Sequence, residues 1–203
     1  MSHYFETPDG PARFHQVDVT FWGRDYSLVS APGVFSAHRL DPGTTVLARL
    51  TVPPTDRPAR FLDLGCGFGP IAVALAANCP QAQVDAIDVN QRATELTRHN
   101  AEHLGLTNLT ALGPDNVPPV RTYDEIWSNP PIRIGKTALH GLLLHWFDRL
   151  NPGGSATLVV AKNLGADSLQ VWLGDQGWPT DRLGSAKGFR ILRSHHPATD
   201  KTQ

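Results

Sequence analysis

Arg60-Phe61-Leu62-Asp63-Leu64-Gly65-Cys66-Gly67-Phe68-Gly69-Pro70-Ile71 is the stretch on which the fold turns. Arg60 to Leu64 is apolar but for Arg60 at its start and one acid, Asp63, and predicts a buried strand. Three glycines at alternate positions then interrupt it. Pro70 sits where a first helical turn begins, a position at which its missing N–H costs nothing, so a helix over Ile71 to Asn78 follows. Strand, glycine turn and apolar helix make the first half of a βαβ unit, and the same rhythm continues downstream. Strands are predicted over Gln83 to Asp88, Asn108 to Leu112 and Tyr123 to Ser128, with a helix from about Asn90 to Leu104 between the first two. Beyond Thr137, the expected N-cap, Leu139, Leu142, Leu143, Trp146, Phe147 and Leu150 follow the i, i+3, i+4 spacing of a buried stripe. Asn151-Pro152-Gly153-Gly154 is the expected stop, and Ser155 to Lys162 a fifth strand. The alternation predicts a doubly wound, mostly parallel α/β sheet.

The first 55 residues have another pattern. Val17, Val19 and Phe21 alternate with polar residues, Gly23-Arg24 turns the chain, and Asp25 to Ser30 returns as a β-hairpin. A helix over Asp41 to Leu50 joins this cap to the sheet. Ser185 to Arg193 is expected as a last strand, antiparallel at or near an edge. The 203 residues and 22.1 kDa fit a single domain, 1–203, with residues 1–55 as the N-terminal cap and 56–203 as the core. A hydrophobic share of 40% with a net charge of −1 supplies a core and excludes a disordered chain. The longest apolar run, Ile71 to Ala77, is far short of a membrane span, and MSHYFETPDG does not resemble a signal peptide, so a cytoplasmic protein without membrane association is expected. Cys66 and Cys79 form neither a disulfide framework nor a zinc motif. Charge is uneven: residues 61–120 hold two basic and six acidic side chains, residues 121–203 ten and seven. A polyanionic partner would therefore meet the last third of the chain.

The chemistry-bearing residues fall at strand ends. Gly65, Cys66, Gly67 and Gly69 form a turn where backbone can approach a ligand closely. Asp63 ends the preceding strand, and a carboxylate there repels a pyrophosphate but suits a cationic ligand. S-adenosylmethionine has an ammonium, a sulfonium and no phosphate, which favours it over a dinucleotide. Asp88 ends the second strand 25 residues on, where it can accept both ribose hydroxyls, and Val89 follows it. Asp115, after the third strand, is placed to accept from an adenine amine. After the fourth strand come Ser128-Asn129-Pro130-Pro131, in which two prolines remove donors and leave carbonyls beside the Asn129 amide oxygen. Two such acceptors can hold a planar NH₂ group with its lone pair aimed at a methyl group.

Together these segments resemble the class I S-adenosylmethionine-dependent methyltransferases. DLGCGFG and NPP carry the likeness, and HYF (3–5), GVFS (Gly33 to Ser36) and LDPGT (Leu40 to Thr44) narrow it to the methyltransferase small domain family. That family includes the RsmC-type enzymes, which methylate guanine N2 in small-subunit ribosomal RNA. Asn129-Pro130-Pro131-Ile132-Arg133-Ile134-Gly135-Lys136 is similar to the NPPIRxGK form of a single-domain subgroup, and Lys187-Gly188-Phe189 to its late turn. The resemblance implies a seven-stranded Rossmann-like sheet, S-adenosylmethionine turned over to S-adenosylhomocysteine, and no metal. It implies Asn129 and Pro130 as catalytic, Asn129 and Phe35 among the cofactor contacts, and Pro131, Ile132, Arg133, Lys136, Lys162 and Lys187 on the substrate side. Ribosomal RNA or the small ribosomal subunit is the expected partner, with monomer and weak dimer both open. Relatives that methylate amines often place an aromatic residue after NPP to stack on the base; Ile132 departs from this. A second, degenerate domain found in RsmC is absent from these 203 residues.

A protein glutamine amide methyltransferase and a non-catalytic ribosome-assembly module are the rival readings. Trp22 and Tyr26 in the hairpin are further candidates to stack a base. Trp127, Trp146, Trp172 and Trp178 are expected to pack the interior. His99 and His103 share a helix face, and His195-His196 fall in a polar tail; neither pair has the third partner a metal needs.

Overall fold

A computed structural model describes residues 14–197, and the HYF segment lies outside the described residues. Two antiparallel strands open the fold, β1 (His15–Phe21) and β2 (Arg24–Ser30), followed by helix α1 (Pro42–Leu50). The core then runs β3 (Arg60–Leu64), α2 (Pro70–Asn78), β4 (Gln83–Ile87), α3 (Gln91–His103), β5 (Leu109–Leu112), β6 (Tyr123–Ser128), α4 (Lys136–Phe147), β7 (Leu150–Ala161), α5 (Ala166–Asp175), β8 (Thr180–Ala186) and β9 (Phe189–His195). Seven strands form one sheet in the order β5-β4-β3-β6-β7-β9-β8. The first five are parallel; β9 runs antiparallel to β7, and β8, antiparallel to β9, returns to the direction of the first five. The expected α/β class, seven-stranded sheet and hairpin-helix cap are all present.

Side-chain alternation along each strand divides the interior into two layers. Phe61, Val84, Ala86, Trp127, Val159 and Ile191 face the hairpin, α1, α2 and α3. Leu62, Leu64, Ile87, Ile126, Leu158 and Leu192 face α4 and α5. Helix α2 has no polar face, and Pro70 through Ala76 are all buried, because the hairpin covers the side turned away from the sheet. Asn100 ties cap to core: its amide oxygen accepts from Val29 N at 2.7 Å, and its nitrogen donates to Val29 O at 3.0 Å and Phe68 O at 2.8 Å.

Several boundaries differ from the sequence expectations. The hairpin turns on Trp22 and Gly23, both at positive φ, rather than on Gly23-Arg24. Thr137 lies inside the first turn of α4; Gly135 at φ 95° precedes the helix and no side chain caps it. The helix ends at Phe147, and Asn151-Pro152-Gly153-Gly154 belongs to the irregular start of β7, whose pairing with β6 shifts between Tyr123 and Glu125. The single strand expected over Ser185 to Arg193 is two, β8 and β9, joined by Lys187 (φ 49°) and Gly188 (φ 82°) in a tight hairpin turn. Helix α5 has no counterpart among the expected elements. His195 is the last residue of β9 and pairs with Asp181 at 3.3 Å, so it is not part of a tail.

Candidate active site

Parallel strands place all their carboxyl ends at one edge, and the chain order changes direction between β3 and β6, where doubly wound sheets bind ligands. The glycine turn leaves β3 and the NPP turn leaves β6, and these strands pair Asp63 with Trp127. Along the edge the sheet order therefore reads Asp115 after β5, Asp88 and Val89 after β4, Gly65 to Gly69 after β3, Asn129 to Pro131 after β6, Lys162 after β7, and Lys187 between β8 and β9. Acidic side chains stand at one end of this series and basic ones at the other. A shallow cleft, open to solvent, lies at the switch point and is lined by Phe35, Asp41, Thr44, Gly65, Gly67 and Asn129 among others. Cys66 also lines it, although its thiol is buried and burial holds its pKa well above the ordinary value.

The backbone of the glycine turn is committed inward. Gly65 N and Cys66 N both donate to Ile87 O, at 2.8 and 3.0 Å, Gly69 N to Cys66 O at 2.9 Å, and Gly67 N to Asp88 Oδ2 at 3.0 Å. A phosphate cradle needs such N–H groups free. These four are not, so this turn suits a ligand without phosphate. A Cβ added to Gly65 would meet nothing within 4 Å, so a bare backbone surface faces open space. Gly69 is constrained in the opposite sense: its φ is 92°, and a Cβ there would come within 2.8 Å of the Thr97 hydroxyl. Close packing of α3 against the turn thus depends on glycine.

Asp63 is fully buried on the α2 side and does not reach the cleft surface. Its Oδ2 accepts from Ala72 N at 2.9 Å in the first turn of α2, supplying the N-terminal cap that Gly69 lacks. Oδ1 is buried without a partner. Burial pushes the carboxyl up to about 8, the Ala72 N–H pulls it down, and the neighbouring Asp88 adds to the rise. The orphaned Oδ1 below, and a turn whose Gly65, Cys66, Gly67 and Gly69 N–H groups are all engaged, fit a ligand that brings no phosphate to this strand end.

Asp88 is half-buried, with its pKa raised by burial, while N–H bonds from Asn90 and Gly67 oppose the rise. Its Oδ1 accepts from Asn90 N at 2.9 Å and its Oδ2 from Gly67 N at 3.0 Å, and the Val89 N–H also bonds the carboxylate. Val89 and Asp115 are exposed beside it, and Asp88 N bonds Leu112 O across to β5. Phe35 is 48% exposed on the cap side of the cleft.

Asn129 Nδ2 donates to Asp41 Oδ1 at 2.7 Å and to Thr44 Oγ1 at 3.0 Å. Asp41 Oδ1 also caps α1 by accepting from Gly43 N and Thr44 N. In the sequence these two residues stand out only within LDPGT; Asp41-Pro42 signals a helix start, and nothing in an 88-residue separation signals contact with Asn129. The prolines differ from expectation too. Pro131, at φ −74° and ψ 71°, centres an inverse γ-turn in which the Pro130 carbonyl accepts from Ile132 N at 2.8 Å, and the Pro131 carbonyl accepts from Ile134 N at 3.1 Å. Neither carbonyl is unpaired, and each retains one lone pair.

Ile132 packs against the α4 layer, while Arg133 and Lys136 are exposed beyond it. Lys162 and Lys187 are exposed at adjoining turns, tied by Lys162 N to Gly188 O at 2.7 Å. Tyr26 is buried and Trp22 packs edge-on against Trp127 while donating to Thr51, so the hairpin presents no open aromatic pair to a base. Among the described residues no three His, Cys, Asp or Glu side chains converge as a metal site would require.

Known proteins resemble this chain over most of its described length. The methyltransferase small domain model matches residues 25–193. The uncharacterized protein YbxB of Bacillus subtilis is 31% identical over 198 residues, covering 95% of this chain and 96% of its own. Ribosomal RNA small subunit methyltransferase C of Hahella chejuensis is 39% identical over 142 residues, 68% of this chain and 41% of that protein. The Pseudomonas aeruginosa enzyme of the same name is 33% identical over 192 residues, and the chain spans 55% of it. In fold, the chain is similar to the Thermus thermophilus 16S rRNA N2 G1207 methyltransferase RsmC solved with AdoMet and guanosine, at a TM-score of 0.75 and 24% identity over 93% of this chain and 52% of that one. On the family match over most of its length and on its intact glycine and NPP turns, the chain belongs to the methyltransferase small domain family and is an S-adenosylmethionine-dependent methyltransferase.

Proposed function

We propose that this chain, working as one methyltransferase domain in the cytoplasm, methylates an exocyclic amine of small-subunit ribosomal RNA, namely guanine N2. The observation that carries the reading is Asn129 at the switch point, its amide nitrogen engaged by Asp41 and Thr44 so that its oxygen is the end left to accept. S-adenosylmethionine, when bound, supplies an electrophilic methyl on sulfonium. Asp88, the Gly65–Gly69 turn, Val89, Phe35 and Asp115 would hold it, with the buried Asp63 carboxyl beneath.

The remaining chemistry belongs to the chain. Asn129 Oδ1 and the spare lone pair of the Pro130 carbonyl accept the two N–H groups of the amine. Holding both directs the nitrogen lone pair away from them and removes the orientational search, an effect that supplies up to several kcal/mol of rate enhancement. The inverse γ-turn fixes that carbonyl. Arg133 and Lys136 follow directly and face solvent, where RNA phosphates approach, and Lys162 and Lys187 extend the basic side of the edge. RsmC relatives named for ribosomal RNA support this acceptor over a protein amide.

Methyl transfer from labelled S-adenosylmethionine to small-subunit RNA, followed by nucleoside analysis, tests the reading. N2-methylguanosine is the expected product. Asn129→Ala should keep cofactor affinity and lose about 100-fold or more in kcat, as expected when a transition-state contact is removed. A label on protein glutamine, or cofactor binding that fails together with activity, overturns it.

A further inference from the structure

Asn129 can accept an amine only with its amide turned one way. We propose that Asp41, with Thr44 beside it, is the positioning residue that fixes this orientation; the inference rests on the role given to Asn129 above. The two ends of an amide are nearly identical in shape, and a half-turn about its last bond replaces the acceptor with a donor. A donor there would oppose the N–H groups of the substrate. Asp41 Oδ1 can only accept, so it admits the NH₂ end and rejects the oxygen. With one proton of Nδ2 on Asp41 and the other on Thr44, both donors are used. A flipped amide would set two oxygens about 2.7 Å apart with no proton between them.

Asp41 is itself held from several directions. Its Oδ1 accepts from Gly43 N at 2.7 Å and Thr44 N at 3.1 Å, and its carbonyl accepts from Thr45 N at 2.8 Å and Thr45 Oγ1 at 3.0 Å. A Cβ on Gly43 would lie 2.9 Å from both Asp41 Oδ1 and the Phe189 ring, so the first turn of α1 presses against β9 immediately after the Lys187-Gly188 turn. Segments around residues 41, 129 and 189 thereby meet at one point. Helix α1 is then more than a link between cap and sheet: it brings the clamp to the NPP turn.

Asp41 also caps a helix, so its two roles must be separated. Asp41→Ser keeps a capping hydroxyl but is too short to reach Asn129, whereas Asp41→Asn keeps an oxygen at the Oδ1 position. On ribosomal RNA, Asp41→Ser should lower kcat about tenfold or more, with KM for RNA and affinity for S-adenosylmethionine within about twofold, and Asp41→Asn should stay within about threefold of wild type. In an Asn129→Ala background Asp41→Ser should cost nothing further, because the group it orients is gone. Independently of turnover, the Asn129 side-chain NH₂ protons should exchange slowly by NMR in wild type and Asp41→Asn, and rapidly in Asp41→Ser. Equal losses from Asp41→Ser in both backgrounds, or an unchanged kcat, overturn the positioning role while leaving the function standing. A wild type that leaves ribosomal RNA unmethylated overturns both.

Discussion

Replacing Asp63 with Asn should make the folded chain less sensitive to alkali. The carboxyl is fully buried, Oδ1 has no partner, and burial raises its pKa from 3.8 to about 8. Between those values the folded state keeps a proton that the unfolded state has released, so stability falls as pH rises, by about 1.4 kcal/mol per unit. From pH 5 to pH 7.5 that amounts to about 3 kcal/mol, most of 2.5 units at that slope, with the last part damped as the folded group itself begins to ionise. An amide has the shape of the protonated acid, keeps an oxygen for Ala72 N, and does not titrate. The variant should therefore lead by about 1.7 kcal/mol at pH 5, which is already about 1.2 units above 3.8, and its lead should grow by about 3 kcal/mol, to about 5 kcal/mol, at pH 7.5. Urea unfolding of both ligand-free proteins at half-unit intervals measures the difference, in which groups that do not interact with Asp63 cancel. Parallel curves across this range would refute the claim that the fold holds Asp63 protonated.

Three other perturbations read different parts of the site. Asp88→Ala removes the acceptor assigned to the ribose hydroxyls and should weaken S-adenosylmethionine by about 1.5–3 kcal/mol in calorimetry, with unchanged affinity removing that assignment. Gly69→Ala puts a methyl group 2.8 Å from the Thr97 hydroxyl at a φ of 92° and should destabilise by about 1–3 kcal/mol, lowering Tm by several degrees in calorimetric scans; an unchanged Tm would mean that α3 can move away from the turn. Arg133→Glu with Lys136→Glu should raise KM for RNA and make the log–log salt dependence shallower by about 0.7 for each phosphate no longer neutralised, while cofactor affinity holds; equal slopes for the two proteins would place the RNA elsewhere.

The fold is legible wherever one periodicity dominates. Arg60 to Leu64, Gln83 to Ile87 and Tyr123 to Ser128 are short runs built on apolar residues and closed by turn residues, and their alternation with helices is sufficient to specify a parallel sheet. Legibility falls where backbone conformation, not hydrophobicity, decides the outcome. Lys187 adopts a left-handed conformation that its side chain does not announce, so β8 and β9 read as one strand. The Asn151-to-Gly154 run carries every signal of a helix stop, yet it lies within β7, at the shift where the register with β6 passes from Leu150 to Ser155. Helix α5 lacks a capping side chain at its start, with Gly165 at φ 97° in that place, and so its sequence carries no start marker.

The site is legible as a set of strand ends and illegible as a network. Glycines, aspartates and NPP fall at predicted carboxyl ends, and a parallel sheet brings such ends to one edge whatever the intervening lengths. What spacing cannot convey is which groups are already satisfied. The Pro130 and Pro131 carbonyls look free in a sequence with two missing donors, and the chain folds back to give them Ile132 N and Ile134 N. Asp63 looks like a surface ligand, and its first partner is the helix it precedes. Asp41 looks like a helix cap, and it is one; but the oxygen that caps α1 accepts from Asn129 as well, so a residue chosen by local helix chemistry also governs the acceptor end of the NPP turn. Local signals thus locate every element of the site, while the pairing between elements, which decides what each polar group has left to offer a ligand, arises only when the cap closes on the sheet.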